Sequence, residues 1–151
     1  MEIVIDDLSS TEVLALLEEH LSDMYATSPE ESVHALDVDA LKAPDITFFS
    51  AWKAQQLAGC VAIKNLDTKH VELKSMRTAK TFRGQGVASE LLLFALEHAK
   101  MKGFSRVSLE TGTQDYFLAA RTLYKKFGFI DCGPFATYSL DPNSHFMTLA
   151  L

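Results

Sequence analysis

Cysteine, proline and glycine are all scarce in this chain of 151 residues: two, four and seven of them respectively. The cysteines, Cys60 and Cys132, lie 72 positions apart and match no zinc or redox spacing, so free buried thiols are expected. So few glycines and prolines leave no composition for a flexible linker or a low-complexity tract. No internal repeat stands out. Apolar runs stay well short of the ~18 residues that span a bilayer. No basic segment followed by an apolar stretch opens the chain at Glu2-Ile3-Val4-Ile5-Asp6, so no secretory leader is expected, and the protein is read as soluble and cytoplasmic. The five histidines, His20, His34, His70, His98 and His145, are scattered and form no metal pair, so no metal is expected. Net positive charge is absent too: the formal charge is −6, which argues against a broad nucleic-acid surface.

What remains is a chain with 48% apolar and 23% charged residues, enough to build one core. A single domain over 1–151 is expected, as a monomer or homodimer. Its cations are clustered: Lys74, Arg77, Lys80 and Arg83 in one stretch, Arg121, Lys125 and Lys126 in another. Local basic clusters on an acidic protein suit a small anion.

Periodicity orders the elements. Residues 2–6 alternate as a strand. Ser9 to Glu12 offers a capping box with Ser9 as cap, followed by Leu14, Leu17, Leu21 and Met24 at helical spacing, ending before Pro29. Residues 30–41 read as a second, shorter helix. Residues 46–52 and 57–63 read as a hairpin around a turn at 53–56. Residues 71–78 follow as a strand, with Val71, Leu73 and Ser75 on one face and Glu72, Lys74 and Met76 on the other. The strongest helix starts after Gly86, buries Val87, Leu91, Phe94, Ala95 and Ala99, and stops at Gly103. A strand at 107–111, a helix capped by Thr113 and ended by Gly128, and strands at 129–132 and 145–149 complete the chain. The order β-α-α-β-β-β-α-β-α-β-β implies an α/β mixed sheet of about six to seven strands with helices on both faces.

Arg83-Gly84-Gln85-Gly86-Val87-Ala88 sits between a strand and a helix. Small residues there admit an anion close to the backbone, and the free amides at the helix start point at it. A phosphate or diphosphate held by amides from Gln85 to Ser89 is the expectation. The string lacks G-x-x-x-x-G-K-[ST] and the full G-x-G-x-x-G, which disfavours a P-loop NTPase and a dinucleotide fold.

The same string resembles the [RQ]-x-x-G-x-[GA] signature of the GNAT superfamily (GCN5-related N-acetyltransferases), with Arg83, Gly86 and Ala88 in the defining places. Tyr124 to Phe129 resembles its Y-x-x-x-G-F segment. The resemblance implies that the loop, Arg83 to Ser89, grips the diphosphate of acetyl-CoA, and that the backbone of Met76, Arg77 and Thr78 holds the pantetheine arm. Many relatives carry Asn where this chain has Phe117, and Gln114 or Arg121 is the expected substitute. Glu72 is the preferred base, at the offset from Arg83 of the catalytic glutamate in histone-acetylating members; the alternative is an ordinary strand glutamate, solvent-facing or paired with Lys74 or His70. Glu110 is its rival, resembling the base of ribosomal-protein N-terminal acetyltransferases. Tyr124 is the expected acid, one helical turn beyond Ala120. The acceptor, a primary amine of a small molecule or peptide, would sit between residues 30–44, with Asp37, Asp39 and Asp45, and the loop 135–143 with Tyr138. Two other readings stay open: a non-catalytic acyl-CoA-binding module and a nucleotide-binding regulator.

Overall fold

The computed structural model describes all 151 residues. Strands β1 (Glu2–Ile5), β2 (Ile46–Lys53), β3 (Gln56–Asn65), β4 (His70–Thr78), β5 (Arg106–Gly112), β6 (Ile130–Cys132) and β7 (Ser144–Ala150) form one sheet, with helices α1 (Thr11–Thr27), α2 (Val38–Leu41), α3 (Val87–Met101) and α4 (Leu118–Lys126). The spatial order is β1-β2-β3-β4-β5-β7-β6. Only β4 and β5 run parallel, joined by the right length of chain for a crossover helix, α3.

Strand alternation sends neighbours to opposite faces, which is why both faces are covered. Phe49, Val61, Leu73, Leu109 and Met147 pack with Leu91, Leu92 and Ala95 of α3 and with Tyr124 of α4. Their neighbours Phe48, Cys60 and Ala62 pack with Val13, Leu16 and Leu17 of α1 and Leu41 of α2. Each fully buried side chain of this size stabilises the fold by ~1.5–3 kcal/mol.

Several local expectations are corrected. Ser10, not Ser9, caps α1 by accepting from the Val13 amide at 3.2 Å, because Ser9 Oγ is bonded to Asp7 at 2.5 Å. The buried stripe of α1 is Val13, Leu16 and Leu17, while Leu14, Leu21 and Met24 are half-buried. On α3, Leu92 and Leu96 are buried and Phe94 is partly exposed. Residues 30–41 hold a 3-10 turn at Glu30–Ser32 and the single turn of α2 instead of one helix. The hairpin turn shrinks to Ala54 and Gln55, both at positive φ (50° and 66°), because a two-residue turn needs that twist. Thr113 gives its hydroxyl to the Pro142 carbonyl at 2.8 Å, and α4 begins five residues later, after a 3-10 turn at Asp115–Phe117.

The correction that shapes the site lies in β4. Ala62 is opposite Lys74 and Cys60 opposite Arg77, so Ser75 and Met76 together face Val61. This is a β-bulge, with Ser75 at φ 53°. It reverses the alternation beyond Lys74: Met76 packs into the α3 face, and Arg77 turns to α1, where Glu19 and Asp23 pair with it. β4 and β5 are paired only from His70–Leu73 to Arg106–Leu109. Past that point β4 keeps only β3 and β5 only β7, and a gap with two free strand edges opens in the middle of the sheet.

Candidate active site

The start of α3 stands at the head of this gap. Gly84 and Gly86 have φ of 76° and 81°, a region L side chains rarely enter. Gly86 is the cap residue and has no side chain to occupy the first amides. The first bond inside the helix runs from the Glu90 amide to the Gly86 carbonyl at 3.1 Å, which leaves the amides of Val87, Ala88 and Ser89 without helical partners. A Cβ built on Gly84 or Gly86 meets no atom within 4 Å. The cradle is open where an anion would approach.

A cleft of about 580 Å³ runs from this cradle through the gap to the α1 face. Of the expected cofactor residues, Met76, Arg77, Thr78, Arg83, Gly84, Gly86, Val87, Ala88 and Ser89 all line it. Gln85 does not: its amide side chain turns back to the Thr81 carbonyl at 3.2 Å. The basic cluster is less available than counting suggested. Arg77 is held by Glu19 and Asp23, Lys74 by Glu72, and Lys80, outside the cleft, lies 3.6 Å from Glu19, so Arg83, exposed at the cradle, is the cation left for an anionic ligand there.

Glu72, Glu110 and Tyr124 also line the cleft. Glu72 pairs in register with Ser108, so Glu110, two residues on, shares its face of the sheet. Glu72 is 3% exposed. Its Oε2 accepts from Lys74 Nζ at 3.1 Å and from Tyr138 Oη at 2.5 Å. Glu110 has no such partners. Burial above all pushes its carboxyl up to about 8, with the Glu72 and Asp141 charges adding and Lys74 opposing. Tyr124 stands on the other face, in the α3–α4 core, tilted against Phe129 at 5.7 Å. Burial raises its phenol to about 12, so it keeps its proton at neutral pH.

Two further expectations fail. Phe117 is buried against Gly112, where an added Cβ would fall 2.1 Å from its ring. Neither proposed substitute for the missing Asn reaches the cleft: Arg121 donates to the carbonyls of Gly112 and Gln114 at 2.6 and 3.1 Å, and Gln114 donates to Asn143 at 3.0 Å. Asp37 caps α2 through the Ala40 amide, and neither it nor Asp39 nor Asp45 lines the cleft. The acidic side chains that do are Glu72 and Glu110, beside Ser32, His34, Tyr138 and Asn143. The pairing of Glu72 with Lys74 is present as expected, at 3.1 Å, while sequence reasoning missed the bond that ties Tyr138 to Glu72. It also missed His20, which lines the cleft with its pKa lowered by burial to about 4. No helix is long and apolar enough to cross a membrane.

A family model described as the acetyltransferase (GNAT) family matches residues 13–129. The chain is 51% identical over 151 residues, all of both chains, to the uncharacterized N-acetyltransferase YsnE of Bacillus subtilis (strain 168). It is 53% identical over 146 residues to the uncharacterized N-acetyltransferase YedL of Escherichia coli (strain K12), covering 97% of this chain and 92% of that one. Its fold is similar to a solved GNAT family acetyltransferase from Elizabethkingia anophelis with acetyl-CoA bound, at a TM-score of 0.73 and 17% identity, over 99% of this chain and 97% of that one.

Proposed function

This chain belongs to the acetyltransferase (GNAT) family and is an N-acetyltransferase, and from that premise we propose that it moves the acetyl group of acetyl-CoA to a primary amine of a small molecule or peptide, with Glu110 as base and Tyr124 as acid. The observation that carries the reading is the gap between β4 and β5: free helix amides at its head, Glu110 on one face and Tyr124 on the other.

The residues present fit the cosubstrate. The amides of Val87, Ala88 and Ser89, with Arg83 beside them, would hold the diphosphate; the free edge of β4 from Met76 to Thr78 would hold the amide-bearing arm. Bound acetyl-CoA supplies the thioester whose carbonyl the amine attacks. An alkylammonium of ordinary pKa, about 10.4, must first lose a proton. Giving it to a carboxylate at about 8 costs ~3 kcal/mol, against ~8 for a carboxylate of ordinary pKa. That difference supports Glu110 as the base; Glu72 is already engaged by Lys74 and Tyr138. The phenol of Tyr124, protonated and beside the gap, is suited to hand its proton to the departing thiolate sulfur. That the cleft takes its walls from His20 in α1 through to Asn143 supports the reading of residues 1–151 as a single domain.

The test is thiol release from acetyl-CoA across a panel of spermidine, glycinamide, n-butylamine and short peptides. Turnover that rises with pH through about 8 in wild type, and has no such rise in Glu110→Gln, supports the assignment. Acetyl-CoA binding with no turnover of any amine would favour the non-catalytic module.

A further inference from the structure

Between β6 and β7 the chain makes a loop that carries Tyr138 back across the acceptor side of the cleft. Its phenol donates to Glu72 Oε2 at 2.5 Å and accepts from Lys74 Nζ at 2.9 Å. The ring that delivers it is wedged among His34, Phe135 and Phe146, at centroid distances of 4.9, 5.1 and 5.6 Å. The loop is also pinned by its own backbone, the Tyr138 amide donating to the Phe135 carbonyl at 3.0 Å. The hydroxyl is therefore placed by packing on several sides.

Both donors converge on one oxygen of Glu72. Oε2 takes the phenol and the ammonium, while no protein group donates to Oε1. A carboxylate only 3% exposed is costly to keep ionised without such partners. Lys74 supplies the compensating charge, and Tyr138 supplies a neutral donor that fixes direction. Other titratable groups facing this point are Glu110 on β5, Asp141 at the end of the same loop, bonded to Ser32 at 2.6 Å, His34 from the 33–37 segment, and His70 on β4, whose ring nitrogen lies 2.6 Å from Ser108 Oγ.

We infer that Tyr138 is a positioning residue for the acceptor amine, acting through Glu72: it holds the Glu72 carboxylate by Oε2 so that Oε1 receives the incoming ammonium. This rests on the reading that the acceptor is an amine and Glu110 its base. The two carboxylates then divide the work. Glu72 anchors the ammonium through Oε1 and takes no proton in the step. Glu110 takes the proton: one N–H bond of the ammonium breaks and one O–H bond forms on Glu110. Tyr138 loses and gains nothing.

Tyr138→Phe removes the hydroxyl and keeps the ring, so the packing survives; an unchanged melting temperature and acetyl-CoA affinity by calorimetry check that. With the best amine of the panel, the acceptor KM rises about tenfold, equivalent to ~1.4 kcal/mol. The kcat stays within about twofold, and the rise of rate through about pH 8 is retained, since that limb belongs to Glu110. An unchanged acceptor KM would make the hydroxyl merely structural, and loss of the pH limb would put Tyr138 in the proton path; either overturns the inference. If wild type turns over no amine, the functional reading fails first. Binding of n-butylammonium, followed by NMR on the full chain with acetyl-CoA present, then reads the inference alone: affinity about tenfold weaker in Tyr138→Phe upholds it, and equal affinities overturn it.

Discussion

Replacing Glu110 by Gln should make the protein more stable in alkali while leaving its stability in mild acid unchanged. The native carboxyl holds its proton up to about pH 8, against an ordinary 4.5 in the unfolded chain. A raised carboxyl pKa means that the folded state binds the proton more tightly. Its contribution to stability is fully present below pH 4.5, declines as pH climbs, and is gone above about 8. The full shift would correspond to ~5 kcal/mol. Glu110 still has some contact with water at the cleft, so screening trims this to roughly 2–4 kcal/mol, a large part of the 5–15 kcal/mol typical of a domain. Urea unfolding of both proteins at intervals from pH 5 to 9 gives the answer as a difference. His20, with its native pKa lowered to about 4, works in the opposite sense, adding stability that disappears as pH falls through 6.5 towards 4. That effect is common to both proteins and cancels. The expected result is a gap that opens by roughly 2–4 kcal/mol in favour of Glu110→Gln between pH 5 and 9. Parallel stability curves would refute the claim that burial holds this carboxyl neutral.

Tyr124→Phe should lower kcat by roughly 100-fold or more, within the range of a lost proton donor, with acetyl-CoA affinity by calorimetry unchanged; an unaltered kcat removes Tyr124 from the mechanism. Gly86→Ala puts a Cβ on a residue at φ 81°, costing roughly 1–2 kcal/mol of stability by urea unfolding and weakening acetyl-CoA binding through a displaced α3 start. Gly112→Ala drives a Cβ to 2.1 Å from the Phe117 ring and should lower the melting temperature by more than Gly133→Ala, whose Cβ meets nothing within 4 Å.

Much of the fold was legible because periodicity is a local property. Every expected strand exists, as do the three longer helices, with only the helix over 30–41 broken into single turns, and the two-faced sheet follows from adjacent residues such as Phe48 and Phe49 wanting opposite partners. Boundaries failed where two residues competed for one role. Ser9 and Ser10 are equivalent caps on paper, and Asp7 decides between them by taking Ser9. The bulge in β4 was invisible, since Val71 to Thr78 alternates without a glycine to mark the break; only pairing with β3 shows that two residues face one. The glycine loop was readable because its φ demands leave a mark on composition. The environment of Glu72 was not, because Tyr138 lies 66 positions away and reaches it only once β7 pairs with β5. Charge counting failed at Arg77 for the same reason: it looks free until the bulge turns it to the acids of α1, whereas Lys74 meets Glu72 two residues away on the same face of β4.

The proposed activity depends on the gap between β4 and β5 receiving acetyl-CoA beneath the first turn of α3. Titrating the isotope-labelled protein with acetyl-CoA and following backbone amides by NMR measures this residue by residue. The largest shifts are predicted at Val87, Ala88 and Ser89 and along Met76 to Thr78, with β1 and β2 nearly silent. Saturable binding that leaves those amides unmoved, or no binding at millimolar acetyl-CoA, would contradict it.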